Sequence, residues 1–333
     1  MPLIIFKRGV LINRNTQFSL FHFLGAFLVY MQSFRLQGFM VLEQWRRNTD
    51  TDTHTHTHTH THTHTHTHTH THTHTGGECD RTLTDMKAVK TVKKSGKLYG
   101  SWLRDSITNK VYVLSGTESK EIIEFNTMKV FVGTSSRPPP STIELEVGWK
   151  GTGNAVNNGT LYVNENDTIA QIARIDIHTG VVLRRVPLPD ALPPFERAPF
   201  TTVSLIMDEN GLWAIYGTQA PIEQRHIVLA QLDNRSLAIL DSWMTPCDSR
   251  DAQAAFIICG TLYVVYSDFD KTVISCVFSP STDKEIENVS IAFPHLFTSE
   301  IHSSVLYNMR ERQLYAWADG HQLLYKLQLG NKQ

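Results

Sequence analysis

From residue 86 to its C-terminus the chain runs in short apolar stretches of mostly four to eight residues, cut by Gly, Asn, Asp and Pro. Stretches of that length, rich in β-branched and aromatic residues and bounded by turn chemistry, are strands. They fall at 110–114, 159–163, 173–177, 181–186, 212–216, 227–232, 237–243, 256–259, 262–266, 273–278, 313–317 and 322–329. Residues 86–94 read as a short strand or an approach segment. No long segment carries a 3.6-residue apolar period, so helices are not expected. Pro138, Pro139 and Pro140 mark a loop or extended surface segment, and Pro187, Pro189, Pro193 and Pro194 mark another.

One phrase recurs: an apolar residue followed by Tyr or Trp, just after a turn signal. It stands at Val111-Tyr112, Leu161-Tyr162, Leu212-Trp213, Leu262-Tyr263 and Leu314-Tyr315, close to 50 residues apart. Hairpins at such a period read as propeller blades of four strands, and a domain of roughly 255 residues then holds about five. An open sandwich is the architectural alternative, and the regular period disfavours it.

The first 76 residues have another texture. Residues 53–75 alternate Thr and His, and 11 of the 17 histidines lie there. Alternation puts every His on one face of an extended strand and leaves only Thr on the other. Such a tract cannot offset its ordering entropy by burial. The chain therefore divides into a leader of doubtful origin (1–50), a disordered Thr-His repeat (51–76) and a folded domain (77–333). Codons ACA and CAC make the repeat readable as a translated microsatellite; a metal-binding His tract is the alternative. The apolar residues 18–31 are too short to span a bilayer. They suit the core of a signal peptide, although no clear cleavage site follows.

The net charge of −1 argues against an electrostatic grip on nucleic acid or on an anionic membrane surface. All four cysteines, Cys79, Cys247, Cys259 and Cys276, lie in the domain. Their spacing is not that of a zinc or thioredoxin motif, and their even number suits disulfides or buried thiols. Four sequons, at Asn158, Asn166, Asn234 and Asn288, are glycosylation candidates and favour a secreted glycoprotein. His178, His226, His295, His302 and His321 show no zinc or catalytic spacing. Five lysines in residues 87–97 suit a grip on acidic glycans or a solvated face. Trp102, Trp149, Trp213 and Trp317 read as core rather than as a ligand platform. Arg104 and Asp105 read as an ion pair or turn contact. No phosphate-loop, dinucleotide or nucleophile-elbow motif is present.

Several phrases together resemble the olfactomedin domain, over residues 79–329 and in family order. They are Gly100-Ser-Trp-Leu-Arg-Asp105, Gly151-Thr-Gly-Asn-Ala-Val-Asn-Asn-Gly-Thr-Leu-Tyr162, Asp208-Glu-Asn-Gly-Leu-Trp-Ala-Ile-Tyr216, Ala255-Phe-Ile-Ile-Cys-Gly-Thr-Leu-Tyr263 and Arg310-Glu-Arg-Gln-Leu-Tyr-Ala-Trp317. Thr245-Pro-Cys247 and Leu324-Tyr-Lys-Leu327 are most like the short secreted olfactomedin-like proteins. The resemblance implies an all-β, five-bladed β-propeller behind a disordered low-complexity N-terminal leader. It also implies a secreted, non-enzymatic protein of the extracellular space, acting in matrix organisation and signalling through extracellular or matrix proteins. No cofactor and no stable membrane span are expected. It implies a Cys79–Cys259 disulfide, which leaves Cys247 and Cys276 as a second pair or as buried thiols.

Many olfactomedin propellers hold calcium in the central channel, on an Asp of Tyr-Thr-x-x-Asp-Leu, an Asn of Asn-Ala-Phe and an Asp of x-Asp-Tyr-Asn-Pro. This chain has Ser204, Ala254 and Leu306 there, so no metal is expected. Asp208 is expected to cap a turn. Two further classes remain. A propeller enzyme would gather Asp, Glu or His at one channel mouth, whereas an uncharged, plugged channel marks a binding module. A matrix oligomer would need an assembly element, and the leader shows no heptad pattern.

Overall fold

Turn signals spaced every few residues leave room only for short antiparallel strands, and the computed structural model is built of little else. It describes residues 79–133, 139–165, 169–198, 200–218, 225–267, 271–296 and 301–332. All of these belong to one compact unit, Thr73–Gln333. Expectations for residues 1–76, including the apolar segment and the Thr-His repeat, and for the Asn166 sequon lie outside the described residues.

The strands group into five blades. The first holds β2 (Gly100–Arg104), β3 (Val111–Ser115), β4 (Glu118–Phe125) and the start of β5 (Ser141–Asn157), with a short helix α1 (Met128–Val132) between β4 and β5. Strand β5 serves two blades. Its residues 141–150 pair with β4, and 149–157 pair with β6 (Thr160–Glu165), which continues to β7 (Gln171–Asp176) and β8 (Val182–Pro187). The third blade is β9 (Ser204–Asp208), β10 (Gly211–Gly217), β11 (His226–Leu232) and β12 (Ile239–Asp248). The fourth is β13 (Ala252–Ile258), β14 (Thr261–Ser267) and β15 (Thr272–Ser279), with β16 (Lys284–Glu285) and β17 (Ile291–Ala292) on its outer side. The fifth is β18 (His302–Asn308), β19 (Gln313–Ala318), β20 (His321–Asn331) and, outermost, β1 (Arg81–Lys94) from the start of the domain. The inner strands β2, β5, β9, β13 and β18 adjoin in that order and β18 returns to β2, so the sheets close into a five-bladed β-propeller.

Five apolar clusters among the described residues fill the five gaps between neighbouring blades. The recurring phrase now has its reason. Tyr112, Tyr162, Trp213, Tyr263 and Tyr315 all lie on the second strand of a blade and are all buried, each supplying a large flat ring to the interface with a neighbour. The four tryptophans are core, and each indole N–H is bonded. Trp102 donates to the Ala316 carbonyl, Trp149 to Glu121, Trp317 to Leu98, and Trp213 to the Asp208 carboxylate.

Some elements differ from the sequence reading. Strand β1 is 14 residues long and not a short approach segment. Strands β2, β4, β5, β9 and β18 and helix α1 carry no strand or helix assignment in that reading. Every residue of β9 and β18 is buried, so neither shows polar alternation.

Two disulfides staple the ring. Cys79, just before β1, joins Cys259 in the β13–β14 turn across 180 residues, and Cys247 of β12 joins Cys276 of β15 across 29. Loop-closure entropy assigns about 5 kcal/mol to the first and about 3.5 kcal/mol to the second. Replacing Cys79 and Cys259 by Ser therefore lowers the unfolding free energy in urea more than the same change at Cys247 and Cys276. The reverse order would show that ring closure is not the dominant constraint.

Candidate functional site

The inner strands bring Ser204, Ala254 and Leu306 to one cavity in the channel, although 102 positions of sequence separate the first from the last. The cavity is about 20 Å³, room for one water. Its wall also carries Thr152, Gln253 and Ser304, and none of the described lining residues is a carboxylate. Among the described residues Gln253 Nε2 and Ser304 Oγ are buried without a hydrogen-bond partner. A second cavity of about 20 Å³ lies on the side of Arg104, Met207 and Asn308. Leu306 lines both cavities, so its side chain plugs the channel between them.

Calcium fits this site poorly. It takes about six to eight oxygens, with carboxylates supplying charge. Ala254 and Leu306 offer no side-chain oxygen, and a dication in so small a cavity without a carboxylate keeps an uncompensated charge. The Gly-Thr-Gly phrase has a packing role instead. Gly151 has φ +80°, and a Cβ on Gly153 would stand 2.6 Å from the Ser204 Cα. Two glycines thus let blades 2 and 3 approach backbone to backbone.

The carboxylates near the channel hold blades together. Buried Asp105 accepts from the Asn158 and Gly159 amides at 3.1 and 2.7 Å, and so fixes the inner turn of blade 2 to blade 1. Asp208 does the same from blade 3 to blade 4, accepting from the Gly260 amide at 2.6 Å and from the Trp213 indole at 2.7 Å. Glu209 accepts from the Cys259 amide and the Tyr307 hydroxyl. Asn308 completes the pattern by donating to the Arg104 carbonyl. Blades 2 and 3 are tied by the Asn164 side chain, which both donates to the Val203 carbonyl and accepts from its amide. Burial pushes the Asp208 carboxyl up to about 6, against the pull of the Gly260 amide, the Trp213 indole and the Asn210 amide.

Other residues singled out by the sequence fall elsewhere. Arg104 pairs with Glu311, not with Asp105, and Glu311 also accepts from the Tyr315 hydroxyl. Asn158, Asn234 and Asn288 are exposed. Asn234 sits in a turn whose Asp233 accepts from the Ser236 amide and hydroxyl, which hold the Asp233 carboxyl below its usual range. The histidines are spread over several blades, although folding brings the rings of His295 and His302 to 6.2 Å. Among the described residues the one His/Cys/Asp/Glu group tight enough to hold a metal is Cys79, Glu209 and Cys259, and its two sulfurs are spent on a disulfide. Sequence reasoning missed Glu209, Asn164, Gln253 and Ser304. Only Glu209 had a signal, its place in the Asp208-Glu-Asn-Gly phrase.

Two outcomes are expected. The melting temperature is the same in excess calcium and in excess chelator, whereas the combined Ser204→Asp, Ala254→Asn and Leu306→Asp variant melts higher with calcium. For Asp208, a folded pKa above the unfolded value means a stabilisation that is present at acid pH and lost as pH rises through 6. Between pH 5 and pH 7 this group removes about 1 kcal/mol. Urea melts of Asp208→Asn, less stable at both pH values, lack that decrement.

The sequence profile of the olfactomedin-like domain matches residues 74–332. The chain is 37% identical to olfactomedin-like protein 3A of Danio rerio over 262 residues, covering 77% of this chain and 66% of that protein. It is 36% identical to olfactomedin-like protein 3 of Xenopus tropicalis (76% and 62% covered) and 34% identical to that of Homo sapiens (77% and 66%). The chain thus spans a little under two thirds of the length of these relatives. Among solved structures a Myxococcus xanthus glutaminyl cyclase aligns with TM-score 0.44 at 7% identity, over 76% of this chain and 97% of that one, too distant to bear on activity. A ring of five blades with these phrases in this order, matched by that profile over most of its length, places the chain in the olfactomedin-like domain family.

Proposed function

We propose that this chain is a secreted extracellular glycoprotein whose propeller is a protein–protein interaction module in matrix organisation and signalling. The observation that carries the reading is the plugged channel. Leu306 fills its middle, and the carboxylates around it are bonded to neighbouring blades. Groups committed to holding the ring are not free to perform acid–base chemistry. The remaining chemistry is on the outside, where loops on a rigid ring present surface to partners. Two disulfides and three exposed sequon asparagines support an oxidising, extracellular setting.

The test is expression of the full chain in cultured animal cells. Protein is expected in the medium, and glycosidase treatment shifts its mobility. Asn158→Gln, Asn234→Gln and Asn288→Gln each remove one glycan increment. Cross-linking from the medium then captures extracellular proteins. Retention in the cytosol with free thiols would sink the reading, as would turnover of a small substrate by the purified domain.

A further inference from the structure

The outer half of blade 5 segregates positive charge. Strand β1 carries Lys87, Lys90, Lys93 and Lys94, with Lys97 just beyond it, and no acidic residue lies between Asp85 and Asp105. Its partner β20 adds Lys326 and holds no Asp or Glu, and helix α1 holds none either. Elsewhere in the ring several cations stand against carboxylates. Arg104, Lys110, Arg185, Arg197, Arg225 and Arg250 each pair with Asp or Glu. Among the described residues Lys87, Lys90, Lys94, Lys97 and Lys326 form no ion pair, and all five are exposed. Lys93 differs: its ammonium donates to the Phe131 carbonyl at 2.9 Å and lies over the Phe125 and Phe131 rings. A near-neutral chain thus carries a local row of unneutralised lysines.

We propose that this face of blade 5 docks a sulfated polysaccharide. Lys87 and Lys94 are separated by about 23 Å at the rise of an extended strand, so the row follows a linear polyanion and meets several of its sulfates. Among the described residues no strand pairs with the outer edge of β1, the last strand of its sheet. The choice of polyanion rests on the extracellular reading above, because sulfated glycans are the polyanions of that space. Lysines on an edge strand also deter pairing with a second protein chain. That role needs no anion and leaves polysaccharide affinity unchanged on substitution.

The experiment is salt-dependent binding of the full chain to heparin at pH 8, where the Thr-His histidines are neutral. The wild type binds at physiological salt. Lys87→Gln, Lys90→Gln and Lys94→Gln together weaken binding at least tenfold and lower the slope of log K against log salt by about two to three. The control substitutions Lys271→Gln and Lys284→Gln, both at exposed sites, change neither. Thermal melts confirm that each variant folds. Failure of the wild type to bind, or equal binding by the triple variant, overturns the proposal. Binding to duplex DNA as tight as to heparin overturns the assignment to a sulfated glycan. None of these measurements depends on secretion, so failure to reach the medium would leave this result standing.

Discussion

The pairing of β1 with β20 is the constraint on which the other contacts depend. A ring of sheets has no natural end, and a blade made only from the last part of the chain would leave the circle held by side chains alone. Here the first strand of the domain becomes the outer strand of the last blade, with partners from Arg81 with Asn331 to Lys94 with His321. Backbone hydrogen bonds therefore cross the point where chain start and chain end meet. The Cys79–Cys259 bond and the Tyr263 hydroxyl, bonded to the Leu83 amide, tie the same strand to blade 4. Opening the ring means breaking a long antiparallel ladder as well as a disulfide.

Once closed, the ring sets the chemistry of its centre. Five inner strands converge, and their buried polar groups need partners. Buried Asp105, Asp208, Asn164 and Asn308, and the exposed Glu209 next to Asp208, each bond to a neighbouring blade. In an olfactomedin propeller that carries calcium, the ion draws ligands from several blades. In this chain Leu306 stands at one of the positions that the resemblance assigns to a ligand, and apolar packing with direct hydrogen bonds joins the blades. The raised pKa of Asp208 is the cost of that arrangement, a carboxyl buried for its geometry.

Legibility in the sequence followed local chemistry. Middle strands such as β3, β6, β10, β14 and β19 were readable because an aromatic after a turn signal is visible within a few residues. The inner strands β9 and β18 were opaque, since full burial erases polar alternation and their Ser, His and Asn residues read as loop. Strand β5 was opaque because the glycines that let it approach Ser204 look like breakers when the neighbouring blade is unseen. At the channel, the identities of Ser204, Ala254 and Leu306 were plain from the resemblance. That Leu306 plugs the channel, and that Gln253 and Ser304 share the cavity, was not.

Residue order alone determined the all-β class, the period of about 50 residues, the break between repeat and domain, and the presence of four cysteines in the domain. Those properties depend on neighbours a few positions apart. Tertiary structure alone decided that the first strand belongs to the last blade, that Arg104 pairs with Glu311, and that Asp208 grips the Gly260 amide. It also decided that the lysines of β1 lie beside β20, a strand that holds no Asp or Glu. The partners in these contacts lie some 50 to 250 residues apart, and only closure of the ring brings them together.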